Sequence, residues 1–225
     1  MSVTPADIVV AVDGTSGSGK SSTSRGVAAR LRLRYLDTGA QFRAMTWWML
    51  GQGVDVHDAE AVAARAGEPT IVSGTDPLHP TISVDGVDVS VQIRLDDVNA
   101  AVSPVSVVPA VRARLLELQR DVIDEGGIVV EGRDIGSVVA PDAQVKVYIT
   151  ADPGARAKRR AAEAGGTDVE ATEASLLARD RIDSGRATAP LVRADGAIHI
   201  DTTAYTLDQV IDQVVALVEA VEASA

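Results

Sequence analysis

The sequence predicts an α/β fold in three layers, a parallel sheet of five strands held between helices. Three observations carry that reading. Short apolar runs alternate with segments of helical spacing along most of the 225 residues, as they do in a parallel sheet. The first run, Ile8-Val9-Val10-Ala11-Val12, leads into Gly14-Thr15-Ser16-Gly17-Ser18-Gly19-Lys20-Ser21, which fits G-x-x-x-x-G-K-[ST] without a mismatch and is followed by a helix-like segment. Strand, glycine turn and helix in that order make a phosphate-binding loop, so the expected fold is that of the P-loop NTPases. The third observation is a β-rich interruption at about residues 67–95, where the pattern turns antiparallel.

Taken in order, the first strand spans 7–13 and the first helix 21–32. A short strand at Arg34-Tyr35-Leu36 ends in Asp37-Thr38-Gly39, where Thr38 is placed to cap a helix running through Trp47 and Leu50. Another helix is expected from Asp58 to Ala66. Runs at 70–72, 81–84 and 87–91 then read as short strands, the last two joined by the hairpin signal Asp85-Gly86. After Pro109, Val111, Leu115, Leu118 and Val122 share one helical face, and Gly126-Gly127 ends that helix. Strands follow at 128–130, 145–149 and 197–200. The last helix carries Leu207, Val210, Ile211, Val214 and Leu217. This divides the chain into a core of 1–66, 104–151 and 191–225, an acceptor-binding insertion of 67–103 and a short helical lid of 152–190.

Composition narrows the class. A net charge of −11 argues against a nucleic-acid-coating surface, which needs clustered cations. Without cysteine there is no disulfide framework or thiolate metal site, and the three histidines are far apart in sequence. No apolar run approaches twenty residues and no signal peptide is seen, so the expectation is a soluble, cytoplasmic monomer without membrane or nucleic-acid partners. Residues 152–193 hold eight Arg/Lys against seven Asp/Glu, so this stretch is nearly neutral in an acidic chain, as a cover over phosphates would be.

The loop has a physical logic. Successive main-chain N–H groups must turn inward around phosphate oxygens, and side chains at Gly17 or Gly19 would obstruct the turn. Lys20 can then reach the outer phosphates, Ser21 can ligate Mg2+, and the helix start adds partial positive charge. Such a loop serves kinases, GTPases, transporter ATPases and helicases alike. The chain lacks N-K-x-D and L-S-G-G-Q segments and is too short for a helicase pair, which leaves a small phosphotransferase.

Further segments carry a resemblance. Asp37 to Arg43, Ser103 with Pro109-Ala110-Val111-Arg112, Glu131-Gly132-Arg133-Asp134-Ile135-Gly136, and Arg179-Asp180-Arg181-Ile182-Asp183 with Arg186 before Ala189-Pro190-Leu191 follow the loop in order. With it they resemble the bacterial cytidylate kinases of the nucleoside monophosphate kinase group over nearly the whole chain. The resemblance implies transfer of the γ-phosphoryl group of ATP to CMP or dCMP. It implies an ATP site of Gly14, Thr15, Ser16, Gly17, Ser18, Gly19, Lys20, Ser21, Ser22 and Arg156. It implies a CMP site of Thr38, Arg43, Ser103, Arg112, Arg133, Asp134, Arg179, Asp183 and Arg186. Catalysis would fall to Lys20, Arg133, Arg160 and Arg186, with Ser21 on the metal. Asp134, Ser103 and Arg112 would read the cytosine edge, a carboxylate accepting from N4 and two donors meeting N3 and O2. Arg43, Arg133 and Arg186 would clamp the acceptor phosphate, and Asp183 and Arg179 would hold the ribose. Arg156 and Arg160, four apart on an expected helix, would close over the transferring group. Two positions depart from the family: Phe42 stands for the usual tyrosine and Glu131 for the commoner aspartate. Kinases of the same fold for UMP, shikimate or dephospho-coenzyme A, and a slowly hydrolysing nucleotide switch, remain the alternatives.

Overall fold

The structure, a computed structural model, describes residues 7–163, 166, 168–186 and 188–224. Residues 1–6 and 225 of the expected core, and residues 164, 165, 167 and 187 of the expected lid, lie outside these. Five parallel strands form the main sheet in the order β2-β6-β1-β7-β8: β1 (Val9–Gly14), β2 (Arg34–Asp37), β6 (Ile128–Glu131), β7 (Val145–Thr150) and β8 (Ile198–Asp201). The central pair β1 and β6 is buried on both faces, which explains their unbroken apolar runs. On one face α1 (Lys20–Leu31) packs on α8 (Leu207–Ser224), and Gly26 permits it, since an added carbon there would lie 2.2 Å from Ile211 Cδ1. On the other face α5 (Pro109–Ile123) covers Leu36, Val130 and Ile135.

The expected hairpin is present. Three antiparallel strands, β3 (Ile71–Ser73), β4 (Ile82–Val84) and β5 (Val87–Asp88), form a separate sheet. At its tip Asp85 and Gly86 both have positive φ (50° and 80°), the requirement of the two-residue turn that matches strand twist. The Asp85 carboxylate accepts from Thr70 N at 2.9 Å and from Trp48 Nε1 at 3.0 Å, seating the sheet on α2 (Thr38–Gly51). Helix α3 (Ala59–Arg65) connects the two, capped by Asp58.

Four details differ from the sequence reading. The cap of α2 is Asp37, which accepts from Ala40 N at 2.9 Å, while the Thr38 hydroxyl donates to the Glu131 carbonyl at 2.8 Å. A helix α4 (Asp96–Ser106) follows the insertion strands; Pro104 in its last turn and the lack of a side-chain cap hid it. Residues Ile135–Val139 form a π-turn whose first two free N–H groups both donate to the Asp13 carboxylate at 2.8 Å. The stretch expected as a lid holds two mutually packed helices, α6 (Pro153–Glu163) and α7 (Val169–Ser184). Among the described residues no helix is long and apolar enough to cross a membrane.

Candidate active site

Parallel sheets gather chemistry at the carboxyl ends of their strands, where each chain turns into the next helix. Here β1 ends in the phosphate loop, β2 in Asp37, and β6 in Glu131, and sheet register sets Asp37 beside Glu131. Above this edge opens a cleft of about 860 Å3, within the range of small-molecule sites.

Ser16 to Ser22 line the cleft, and Gly14 and Thr15 are not part of its lining. Gly17 and Gly19 have φ of 72° and 89°, a left-handed backbone that side chains resist. The Lys20 ammonium is buried and donates to the Thr15 carbonyl at 2.7 Å. Burial, and then the nearby Arg133 guanidinium, push its pKa down to about 7. The Ser21 hydroxyl donates to the Glu131 carboxylate at 2.9 Å. Burial and then Asp37 raise the Glu131 pKa, and the Tyr35 phenol also donates to this carboxylate. Asp13, beneath the loop, is pushed up to about 6 by burial against the two N–H bonds it accepts.

Thr38, Arg43, Ser103, Arg133, Asp134, Arg160, Arg179, Asp183 and Arg186 also line the cleft. Asp183 is the hub of this side. It accepts from Arg133 Nε at 2.8 Å and pairs with Arg186; although burial opposes its charge, these arginines hold its pKa below the usual carboxylate range. Arg43 and Arg179 make no hydrogen bond with the described residues. Burial lowers both pKa values, that of Arg179 to about 9 with Arg43 and Arg133 adding repulsion. Two partly buried guanidiniums that repel one another and make no hydrogen bond with the described residues leave donors for a phosphate to fill.

Arg112 and Arg156 stand back from the cleft wall. Arg112 donates to Asp134 Oδ2 at 2.5 Å and to the Ser106 carbonyl at 3.3 Å, with its guanidinium carbon 5.4 Å from the centre of the Phe42 ring. Phe42 thus meets Arg112 through its ring face, a contact that needs no hydroxyl. Burial raises the Asp134 pKa against the pull of Arg112. Arg156 is buried at 3% exposure, donating to the Ser16 carbonyl at 2.8 Å and to Asp180 Oδ2 at 2.6 Å. It grips the loop from behind.

Several residues here escaped the sequence reading. Ser106 accepts from Arg186 at 3.1 Å, and Asp180 accepts the Ser16 N–H at 2.8 Å. Arg159, Thr202, Tyr205 and Thr206 line the cleft as well; Thr202 donates to the Ser18 carbonyl at 3.1 Å and its own carbonyl accepts from Arg159 at 2.7 Å. The Arg179-Asp180 pair within the resembling segment was the one available signal for Asp180. The β8–α8 turn offered none, because its side chains join the loop only through tertiary folding.

A glycine loop at the head of a parallel sheet, facing a second cluster of guanidiniums across one cleft, defines a P-loop nucleotide-binding protein. A profile of the family described as cytidylate kinase matches residues 10–220. The chain is 58% identical over 214 residues to a cytidylate kinase of Streptomyces avermitilis, covering 94% of this chain and 93% of that one. It is 45% identical over 218 residues to a cytidylate kinase of Mycobacterium leprae, covering 95% and 96%. A crystal structure of an uncharacterized protein from Eubacterium ventriosum shares the fold at a TM-score of 0.54 and 12% identity, covering 95% of this chain and 99% of that one. The chain belongs to the cytidylate kinase family.

Proposed function

We infer that this protein transfers the γ-phosphoryl group of ATP to CMP or dCMP, giving ADP and CDP or dCDP. The observation that carries it is the meeting, in one cleft, of the Lys20 loop with Arg43 and Arg179, two guanidiniums that make no hydrogen bond with the described residues. The acceptor needs no general base, since the attacking atom is a phosphate oxygen already anionic at neutral pH. The bond between γ-phosphorus and the bridging oxygen breaks, and ADP leaves with that oxygen. The protein's part is positioning and charge neutralisation in a site shielded from water.

In this reading Ser16 to Ser22 hold the donor phosphates and Lys20 follows the charge that develops on them. Arg43, Arg133, Arg179 and Arg186 hold the acceptor phosphate and ribose with Asp183, and Arg160 closes on the transferring group. Ser103, Arg112 and Asp134 read cytosine. Asp134 presents Oδ1 for the N4 amino group, since Arg112 takes Oδ2. The core holds the donor, the 67–103 insertion adds Ser103 to the acceptor side, and the 152–190 helices make the cover.

Magnesium fits the residues present. The Ser21 hydroxyl lies 2.9 Å from the Glu131 carboxylate, a hydroxyl and a carboxylate side by side at the loop, the sparse oxygen set that magnesium takes beside phosphates and water. Ser21 would ligate it and Glu131 would accept from its water shell. When bound, the ion neutralises charge on the β- and γ-phosphates.

An acceptor series with ATP, read as ADP release in a coupled assay, tests the proposal. CMP and dCMP are expected to support turnover, with kcat/KM for UMP lower by about tenfold or more, because O4 of uracil would face the Asp134 carboxylate. Phosphorylation of shikimate or dephospho-coenzyme A in preference to CMP would overturn it.

A further inference from the structure

Ser16 is held by side chains from three elements. Asp180 Oδ1 accepts its N–H, Arg156 Nη1 donates to its carbonyl and Arg133 Nη2 donates to its hydroxyl, each at 2.8 Å. Asp180 binds Arg156 at 2.6 Å through its other oxygen, and its side chain is only 13% exposed. One helical turn later on α7, Asp183 binds Arg133 at 2.8 Å and Arg186. The bonds close a ring that runs from Ser16 to Asp180, along one turn of α7 to Asp183, across to Arg133, and back to Ser16. The helix lies directly over the loop: a carbon added at Gly17 would be 3.3 Å from Leu176 Cδ1.

Three residues of helix are a stiff link with a rise of about 4.5 Å, so the two carboxylates move together. Asp180 faces the main chain of the phosphate loop, and Asp183 faces the arginines assigned to the acceptor. We propose that Asp180 is a positioning residue that couples the two nucleotide sites, so that an acceptor phosphate drawing on Arg133 and Arg186 resets the hold of α7 on Ser16 and tightens the donor loop. This rests on the ATP and CMP reading above. Coupling of this kind is reciprocal: each nucleotide raises the affinity of the other by the same factor.

Titration calorimetry with β,γ-imido-ATP, which cannot be turned over, measures that factor with and without saturating CMP. In the native protein CMP is expected to tighten the analogue by about fivefold or more. In Asp180→Asn, which keeps shape and loses charge, the factor is expected to fall below about twofold while affinity for CMP alone changes little. A purely structural role would instead weaken both nucleotides and leave the factor unchanged. A second measurement needs no variant: CMP alone is expected to slow amide hydrogen exchange at Ser16. An unchanged factor in Asp180→Asn, a native factor of one, or exchange at Ser16 indifferent to CMP would overturn the proposal. Failure of the underlying reading shows separately, as native protein that neither binds CMP nor releases ADP with it.

Discussion

Lys20 is one of three lysines beside eighteen arginines, and it is the cation in the cleft whose charge falls within the physiological range. Burial and Arg133 bring Lys20 down to about 7, below the value of about 9 to which Arg179 falls. Its cationic form serves phosphate, so kcat/KM for ATP is expected to decline as pH rises through about 7. Bound triphosphate favours the cation, and the matching limb in kcat should lie at higher pH; identical profiles would remove Lys20 from the titration. Asp134→Ala removes the charged acceptor for N4, a bond of about 1.5–3 kcal/mol, so the CMP to UMP ratio of kcat/KM is expected to fall about tenfold to a hundredfold. An unchanged ratio would sink the cytosine assignment. That Lys20, Arg133 and Asp134 would share a cleft was legible in sequence, Lys20 from the glycine-loop motif and the other two from a resembling segment at the end of a strand. Asp180, Ser106 and Tyr35 were not, because each acts through partners 80 or more residues away, such as Ser16, Arg186 and Glu131.

Elements were legible wherever one period dominates. The unbroken apolar runs of β1 and β6 and the helical face of α5 leave no second interpretation, and Asp85-Gly86 dictates its turn. What stayed hidden was backbone whose partners lie elsewhere: the π-turn after β6 is capped from β1 by Asp13, and α4 takes much of its stability from the core it shares with α2 and α5. The loop glycines show the same division. Gly14 has φ of 146°, and an added carbon would lie 1.9 Å from the Ile149 carbonyl oxygen. Gly14→Ala must therefore part β1 from β7, and a loss of about 3 kcal/mol or more is expected in urea unfolding. Gly19→Ala meets no atom within 4 Å and carries only the left-handed strain of about 1–2 kcal/mol. Equal losses would contradict this account.

At the scale of the whole molecule, an acidic chain surrounds a cleft lined with arginines, and the ring through Ser16, Asp180, Asp183 and Arg133 joins α7 to the phosphate loop. The parallel sheet of five strands and the separate antiparallel sheet followed from sequence, because each has its own periodicity. How those parts grip one another did not, since that is written in pairings across the chain. The seating of the insertion has one more consequence. The bond from Trp48 to Asp85 ties an indole to the tip of the hairpin, and the Arg65 guanidinium stands 4.8 Å over the same ring. With only Trp47 as a second emitter, the protein carries a built-in optical gauge: displacement of the hairpin strips the indole of its carboxylate and alters its ultraviolet emission, with no dye attached.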